Sequence, residues 1–233
     1  MNNPAIIYTA TGEKYFNHAV ESAKTARRFM PIADIYLFSD KTSEIPDVFT
    51  DVFKITSPDY SCYDKIPAII GSQLLSHDKF LFLDTDTRVI GNISEIFDLL
   101  DRFDLVFVHA PIRKELKDYA NIPVCFPQPN TGVIGYKNTD EIKNLMANWE
   151  HIYLEQKRNW NNPPHDQLAF RKAVYDSDVK LGVLPEEYNI RTIFPFVKGG
   201  NSYAKILHGN VKTNNNAENK LKGNYKNRVI FSP

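Results

Sequence analysis

The stretch KFLFLDTDTRVIGNISEIF, residues 79–97, decides how this chain is read. Its first five residues form a continuous apolar run, the pattern of a strand buried on both faces of a parallel sheet. Asp84 and Asp86 follow directly. On an extended chain residues i and i+2 point the same way, so the two carboxylates leave the strand side by side. Paired carboxylates repel unless something positive lies between them. A hard divalent cation meets that need, and a diphosphate can supply further oxygen ligands to it. The plainer alternative is that the two aspartates cap the turn into a helix that begins near Ser94.

Upstream, residues 5–9 (AIIYT) read as a strand. Residues 15–30 read as a helix, with Phe16, Ala19, Val20, Ala23 and Met30 at helical spacing and Pro31 as its stop. Residues 35–38 and 48–55 are strands, and residues 65–75 are helical with Pro67 in the first turn. Downstream, residues 105–108 and 132–137 are strands. Ile142, Leu145, Met146, Trp149, Ile152 and Tyr153 make a helical stripe of core-packing type. Residues 166–175 form another helix, and residues 179–184 and 205–207 short strands. Residues 210–227 are polar, rich in Asn and Lys, and expected to be mobile. The chain therefore divides into one domain over residues 1–209 and a polar C-terminal segment over 210–233.

Alternating strands and helices with short links predict an α/β domain with a mostly parallel central sheet and helices on both faces. In such sheets ligands bind beyond the carboxyl ends of the strands. Positions just after Thr9, Phe38, Leu83 and Val108 should share one rim.

At 233 residues and 42% hydrophobic, the chain can bury a sizeable core. A formal net charge of zero removes the electrostatic case for a nucleic-acid partner. Cys62 and Cys125 read as thiols in a reducing compartment. The N-terminal residues lack the basic and apolar regions of a secretory signal, and no run approaches the ~20 apolar residues of a membrane span. The expected location is the cytoplasm.

Loss of a nucleoside diphosphate from a sugar carbon builds negative charge on the diphosphate, which a bridging cation stabilises. Residues 80–97 resemble the Asp-x-Asp segment of GT-A glycosyltransferases, nearest to the glycogenin and lipooligosaccharide galactosyltransferase group. Four further segments agree in order and spacing. IIYTATGEKYFNHAVESAKT (6–25) resembles that group's first strand, nucleotide-binding loop and first helix. NTGVIGYKNT (130–139) resembles its Asn-x-Gly-Val segment beside the donor sugar, HDQLAF (165–170) its Asp-Gln helix start, and ILHGNVK (206–212) the C-terminal His that completes its metal site.

The resemblance implies that Asp84, Asp86 and His208 ligate a divalent ion, with Asp86 also beside the donor ribose. An imidazole among carboxylates leans toward Mn²⁺ over Mg²⁺. Thr9, Ala10, Thr11 and Tyr15 would surround base and ribose. Lys65 and Lys212 would approach the diphosphate, and Asn130, Asp166 and Gln167 would face the transferred sugar. Asp166 is also placed to cap its helix. The first loop carries Thr11-Gly12-Glu13 where part of the group uses acidic residues toward uracil.

The function so implied is metal-dependent sugar transfer from a nucleoside diphosphate donor, UDP-linked by resemblance, to a glycan, lipid-linked or protein acceptor. Two rivals stand. One is a nucleotide-sugar binding module without turnover. The other is a haloacid-dehalogenase-type phosphatase, whose Asp-x-Asp-x-Thr motif matches residues 84–87 and whose later acidic pair could only be Asp176 and Asp178.

Overall fold

The computed structural model describes residues 3–43, 45–111, 121–159, 165–198, 203–221 and 229–231. Twelve strands and six helices occur among them. The strands are β1 (Ala5–Ala10), β2 (Asp34–Ser39), β3 (Asp51–Lys54), β4 (Lys79–Leu83), β5 (Thr87–Val89), β6 (Leu105–His109), β7 (Pro129–Lys137), β8 (Leu181–Leu184), β9 (Ile190–Arg191), β10 (Phe196–Lys198), β11 (Ile206–His208) and β12 (Val229–Phe231). The helices are α1 (Glu13–Phe29), α2 (Lys65–Ser72), α3 (Glu95–Leu99), α4 (Asp140–Asn159), α5 (Asp166–Tyr175) and α6 (Val211–Leu221).

Seven strands form the central sheet in the order β3-β2-β1-β4-β7-β6-β8. Every neighbouring pair is parallel except the two that involve β7. The expected mostly parallel sheet is therefore present, with one reversed strand. Period-two alternation divides its side chains between two cores. Ile6, Tyr8, Leu81 and Leu83 pack with α1 and α3 on one face. Ala5, Ile7, Phe80 and Phe82 pack with α2, α4 and α5 on the other. The predicted stripe of α4 lies in that second core, where the fully buried Trp149 ring meets Phe170 at 4.5 Å between centroids. Truncating such a side chain to Ala costs about 3–5 kcal/mol.

The turn into α1 shows why its glycine is there. Gly12 has φ +81°, a left-handed conformation that glycine adopts without steric cost. Its N–H donates to Asp40 Oδ1 at 2.9 Å, tying the loop after β1 to the loop after β2. The small buried face of α1, Ala19, Ser22, Ala23 and Ala26, lets the helix lie close to the sheet.

A second, three-stranded sheet of order β5-β11-β9 sits beside the carboxyl edge of β4. It pairs His208 with Thr87 across β11 and β5, and His208 with Arg191 across β11 and β9. The sequence reading did not foresee β5, β9, β10 or β12, each only two or three residues long. Part of the polar segment expected to be mobile is helical instead: α6 buries Asn214, Ala217 and Leu221, a stripe at helical spacing thinly disguised by its polar neighbours. No helix among the described residues is long and apolar enough to cross a membrane.

Candidate active site

The carboxyl ends of β1, β2, β4 and β6 lie on one rim, as the parallel pairings require. Because β7 runs backward, its beginning rather than its end reaches the same rim. Asn130, Thr131 and Gly132 thereby arrive next to Asp84, whose N–H donates to Gly132 O at 2.9 Å.

The Asp84–Asp86 turn is held on both sides. Thr87 returns its N–H and its hydroxyl to Asp84 O, at 3.1 and 2.7 Å. Asp86 O accepts from Gly209 N at 3.1 Å and Asn214 Nδ2 at 3.0 Å. Neither carboxylate is spent on capping a helix: Ser94 occupies the N-cap of α3. The two carboxylates face His208 instead, with Nε2 3.1 Å from Asp86 Oδ1 and 3.6 Å from Asp84 Oδ2. One ligand atom from each of the three residues lies within 4.8 Å of the others.

Close backbone approach makes room for this cluster. A Cβ on Gly132 would stand 2.0 Å from His208 Cε1, 2.7 Å from its Nδ1 and 2.8 Å from Asp84 Oδ2. Two carboxylates and one imidazole, packed against a glycine, fit a divalent ion of the Mn²⁺ or Mg²⁺ kind.

Lys65, at the first turn of α2, links this cluster to the next. Its Nζ is 2.8 Å from Asp84 Oδ1 and 3.2 Å from Asp166 Oδ2. Burial would push the ammonium toward neutrality, but Asp166 and Asp84 outweigh it and raise its pKa. Burial likewise opposes the charged form of Asp86. His208, Arg191 and Lys65 overcome that and hold its carboxyl below the usual range.

Asp166 is the first residue of α5, and its N-cap is His165. The carboxylate does not cap the helix. It takes the Thr131 hydroxyl and the Lys65 ammonium, while its backbone carbonyl takes the Trp149 indole N–H at 3.0 Å. Gln167 stands beside it, partly exposed, with no side-chain hydrogen bond among the described residues.

A cleft of about 430 Å³ opens from these groups toward the loop after β1. Thr9, Thr11, Tyr15, Lys65, Asp84 and Asp86 all line it. Ala10 does not; it is buried in the core under the loop. Lys212 does not line it either and lies exposed on the first turn of α6, while Asn210 does line it. Asp64 was not foreseen. It is buried at the cleft wall, where Oδ2 accepts the Thr11 hydroxyl at 2.8 Å and Oδ1 accepts Asp59 N at 2.7 Å.

The structure is similar to that of the glycosyltransferase GlyE of Streptococcus pneumoniae TIGR4, with a TM-score of 0.58 and 17% identity over 82% of this chain and 47% of that one. It is also similar to the galactosyltransferase LgtC solved with donor and acceptor sugar analogs, with a TM-score of 0.59 and 14% identity over 79% of this chain and 74% of LgtC. This chain has the GT-A fold. It spans about half the length of the GlyE chain it matches. No protein-family model and no curated protein sequence matches it.

A GT-A sheet places Asp176 and Asp178 away from the rim, which counts against the phosphatase reading. Both precede β8, which runs parallel to β6. They therefore sit at the amino edge, across the sheet from Asp84, and Asp176 is engaged by Lys172. Two further residues at the GT-A rim escaped the sequence reading. Asn189 precedes β9 and Arg191 ends it, and both reach His208. Their only sequence signal is a pair of polar residues in YNIRT, which has no periodicity to mark it.

Proposed function

We propose that this protein is a divalent-metal-dependent glycosyltransferase that uses a nucleoside diphosphate sugar, UDP-linked in the first instance, and a hydroxyl-bearing glycan, lipid-linked or protein acceptor. The observation that carries the reading is the Asp84–Asp86–His208 cluster at the carboxyl end of β4, opening on a cleft lined by Thr9, Thr11 and Tyr15. The fold shared with two glycosyltransferases supports it.

In this reading the bond from the sugar C1 to the diphosphate oxygen breaks. The nucleoside diphosphate leaves with the electron pair, and an acceptor oxygen joins C1 and gives up its proton to the departing diphosphate oxygen. The ion, when bound, supplies Lewis-acid stabilisation of the departing diphosphate. Asp84, Asp86 and His208 hold it. Lys65 adds a buried positive charge on the same side. Asp166 accepts hydrogen bonds from sugar hydroxyls, Gln167 both accepts and donates, and the amide nitrogen of Asn130 donates. Asp166 already receives Lys65 and Thr131, which suits it to holding a hydroxyl rather than taking a proton. That favours retention at C1 over inversion through this carboxylate.

Calorimetry of UDP-, GDP- and dTDP-sugars with and without Mn²⁺, followed by donor hydrolysis and transfer to mixed acceptors, tests the proposal. Mn²⁺-dependent binding of one donor with turnover is expected. Binding with no hydrolysis and no transfer would leave a binding module. Phosphate release from a generic ester, with no donor binding, would restore the phosphatase.

A further inference from the structure

Among the described residues two have a left-handed backbone, Gly12 at φ +81° and Tyr60 at φ +55°. Glycine adopts it without steric cost, but for a residue as bulky as tyrosine it is an outlier. One carboxylate holds both. Asp40 Oδ1 accepts the Gly12 N–H at 2.9 Å, and Asp40 Oδ2 accepts the Tyr60 hydroxyl at 3.3 Å. The neighbours of Tyr60 are tied as well. Asp59 N–H donates to Asp64 Oδ1 at 2.7 Å, the Asp59 carboxylate takes the Lys157 ammonium from α4, and Ser61 Oγ accepts the Tyr63 N–H at 3.1 Å. Backbone strain persists only where the surroundings over-determine it, and it clusters at active sites and ligand clamps.

The core does not account for this strain. Tyr60 is 65% exposed, so its ring gains little from burial. It stands at the rim of the cleft. The next two residues, Ser61 and Cys62, line the cleft wall, and ring Cδ1 lies 4.0 Å from where a Cβ on Gly12 would be. Tyr15, half exposed, lines the same cleft from α1. With its hydroxyl engaged by Asp40, Tyr60 has an aromatic face left to offer. The cleft runs from Asp84 and Lys65 toward this loop, so a diphosphate held at the first end sends its base toward the second. We infer that Tyr60 is a nucleobase-binding residue, held in a strained turn so that its ring stacks on the base. The inference rests on the nucleotide-sugar reading of the cleft and adds to it a group that recognises a planar heteroaromatic ring. Every base has such a face, so stacking supplies affinity without choosing among bases.

Tyr60→Gly removes ring and strain together, and Tyr60→Phe keeps the ring but not the hydroxyl. The test titrates the full chain and both variants with UDP, GDP and inorganic pyrophosphate, each with Mn²⁺, by calorimetry, and melts all three proteins. Tyr60→Gly should weaken the tighter nucleotide about 10- to 100-fold, the usual worth of an aromatic ring stacked on a base. Pyrophosphate has no base, so its affinity should not change. Tyr60→Phe should bind nucleotide within about 3-fold of the wild type, the small cost of one exposed hydrogen bond. The melting temperature of Tyr60→Gly should not fall, because glycine adopts the left-handed conformation freely. Unchanged nucleotide affinity in Tyr60→Gly overturns the inference. So does an equal loss in Tyr60→Phe, which would assign the effect to the hydroxyl. A lower melting temperature with equal losses for nucleotide and pyrophosphate would make Tyr60 a prop of the turn and also overturn it. A wild type that binds pyrophosphate with Mn²⁺ but neither nucleotide more tightly overturns the inference and leaves the metal reading standing. A wild type that binds none of the three defeats the nucleotide-sugar reading itself, and the inference with it.

Discussion

The nucleotide half of the sheet and the small sheet that completes the metal cluster are built on different scales. From β1 to β4 the functional positions lie at or just past the strand ends and on the turns and first helical turns that follow them. Thr11 finds Asp64 on the turn before α2, and Gly12 finds Asp40 just past the adjacent strand β2. In the β5-β11-β9 sheet nothing is local. The cluster joins residues 84–86 to 130–132, 189–191 and 208–209, and every one of those segments is short. The first region tolerates the loss of one contact. The second is one connected arrangement, in which a fault in any strand reaches the ligands.

The largest expected effect comes from Gly132→Ala, which drives a methyl against the His208 ring and Asp84 and displaces them. Mn²⁺ binding should become undetectable and transfer should fall by at least ~10³-fold, about 4 kcal/mol of lost transition-state stabilisation. The methyl's stability cost should stay near the ~1–3 kcal/mol of an overpacked site, checked by thermal melting. Retained Mn²⁺ affinity would mean that the ion does not depend on His208 and Asp84 as they sit against Gly132.

Next in size are Asp84→Asn and Asp86→Asn, each expected to lower activity by at least ~10²-fold, about 3 kcal/mol. EDTA should abolish wild-type donor binding or hydrolysis, with Mn²⁺ restoring it. Full activity of both variants in chelator would remove the ion from the reaction. Asp166→Ala should also cost ~10²-fold in transfer while leaving UDP affinity within a few-fold, because UDP lacks the sugar. Its folded state should lose about 1–3 kcal/mol, since the buried Thr131 hydroxyl is left without its acceptor. Lower stability with normal turnover would leave Asp166 a structural residue only.

The smallest effect belongs to the nucleotide half. Thr11→Val removes the hydroxyl that binds Asp64. Nucleotide affinity should weaken by roughly 5-fold, about 1 kcal/mol, the worth of a typical hydrogen bond. Mn²⁺ coordination should be unaffected. A larger loss that also weakened Mn²⁺ binding would show the two regions to be coupled more tightly than their hydrogen bonds suggest.

The same contrast of scale explains what was legible in the sequence. β4 and α5 appear at their read boundaries, and the stripe of α4 lies in the core, because burial imposes a period on long elements. Asp84 and Asp86 were legible because a buried strand delivers them. His208 was found only through the order of motifs, since β11 is three residues long. Asn189 was not found at all. Its importance arises from pairing with a segment that follows it and from an amide nearly sixty positions earlier, and neither relation leaves a local trace. Asp166 reads from its position as a sugar-facing residue and also as a helix cap; the cap is absent, because a buried lysine competes for the carboxylate more strongly than helix N–H groups do.

The register that sets His208 opposite Thr87 also fixes when the cluster can first exist. During synthesis the chain emerges at about 5–20 residues per second, so the ~120 residues between Asp86 and His208 take roughly 6 to 24 seconds to follow. For that interval a growing chain can pair β1 with β2 and β4, yet it has no His208 and no β11 to hold the turn after β4. A divalent ion that requires all three ligands therefore has nothing to bind until the central sheet is already made, and its capture reports a chain that has finished folding around it.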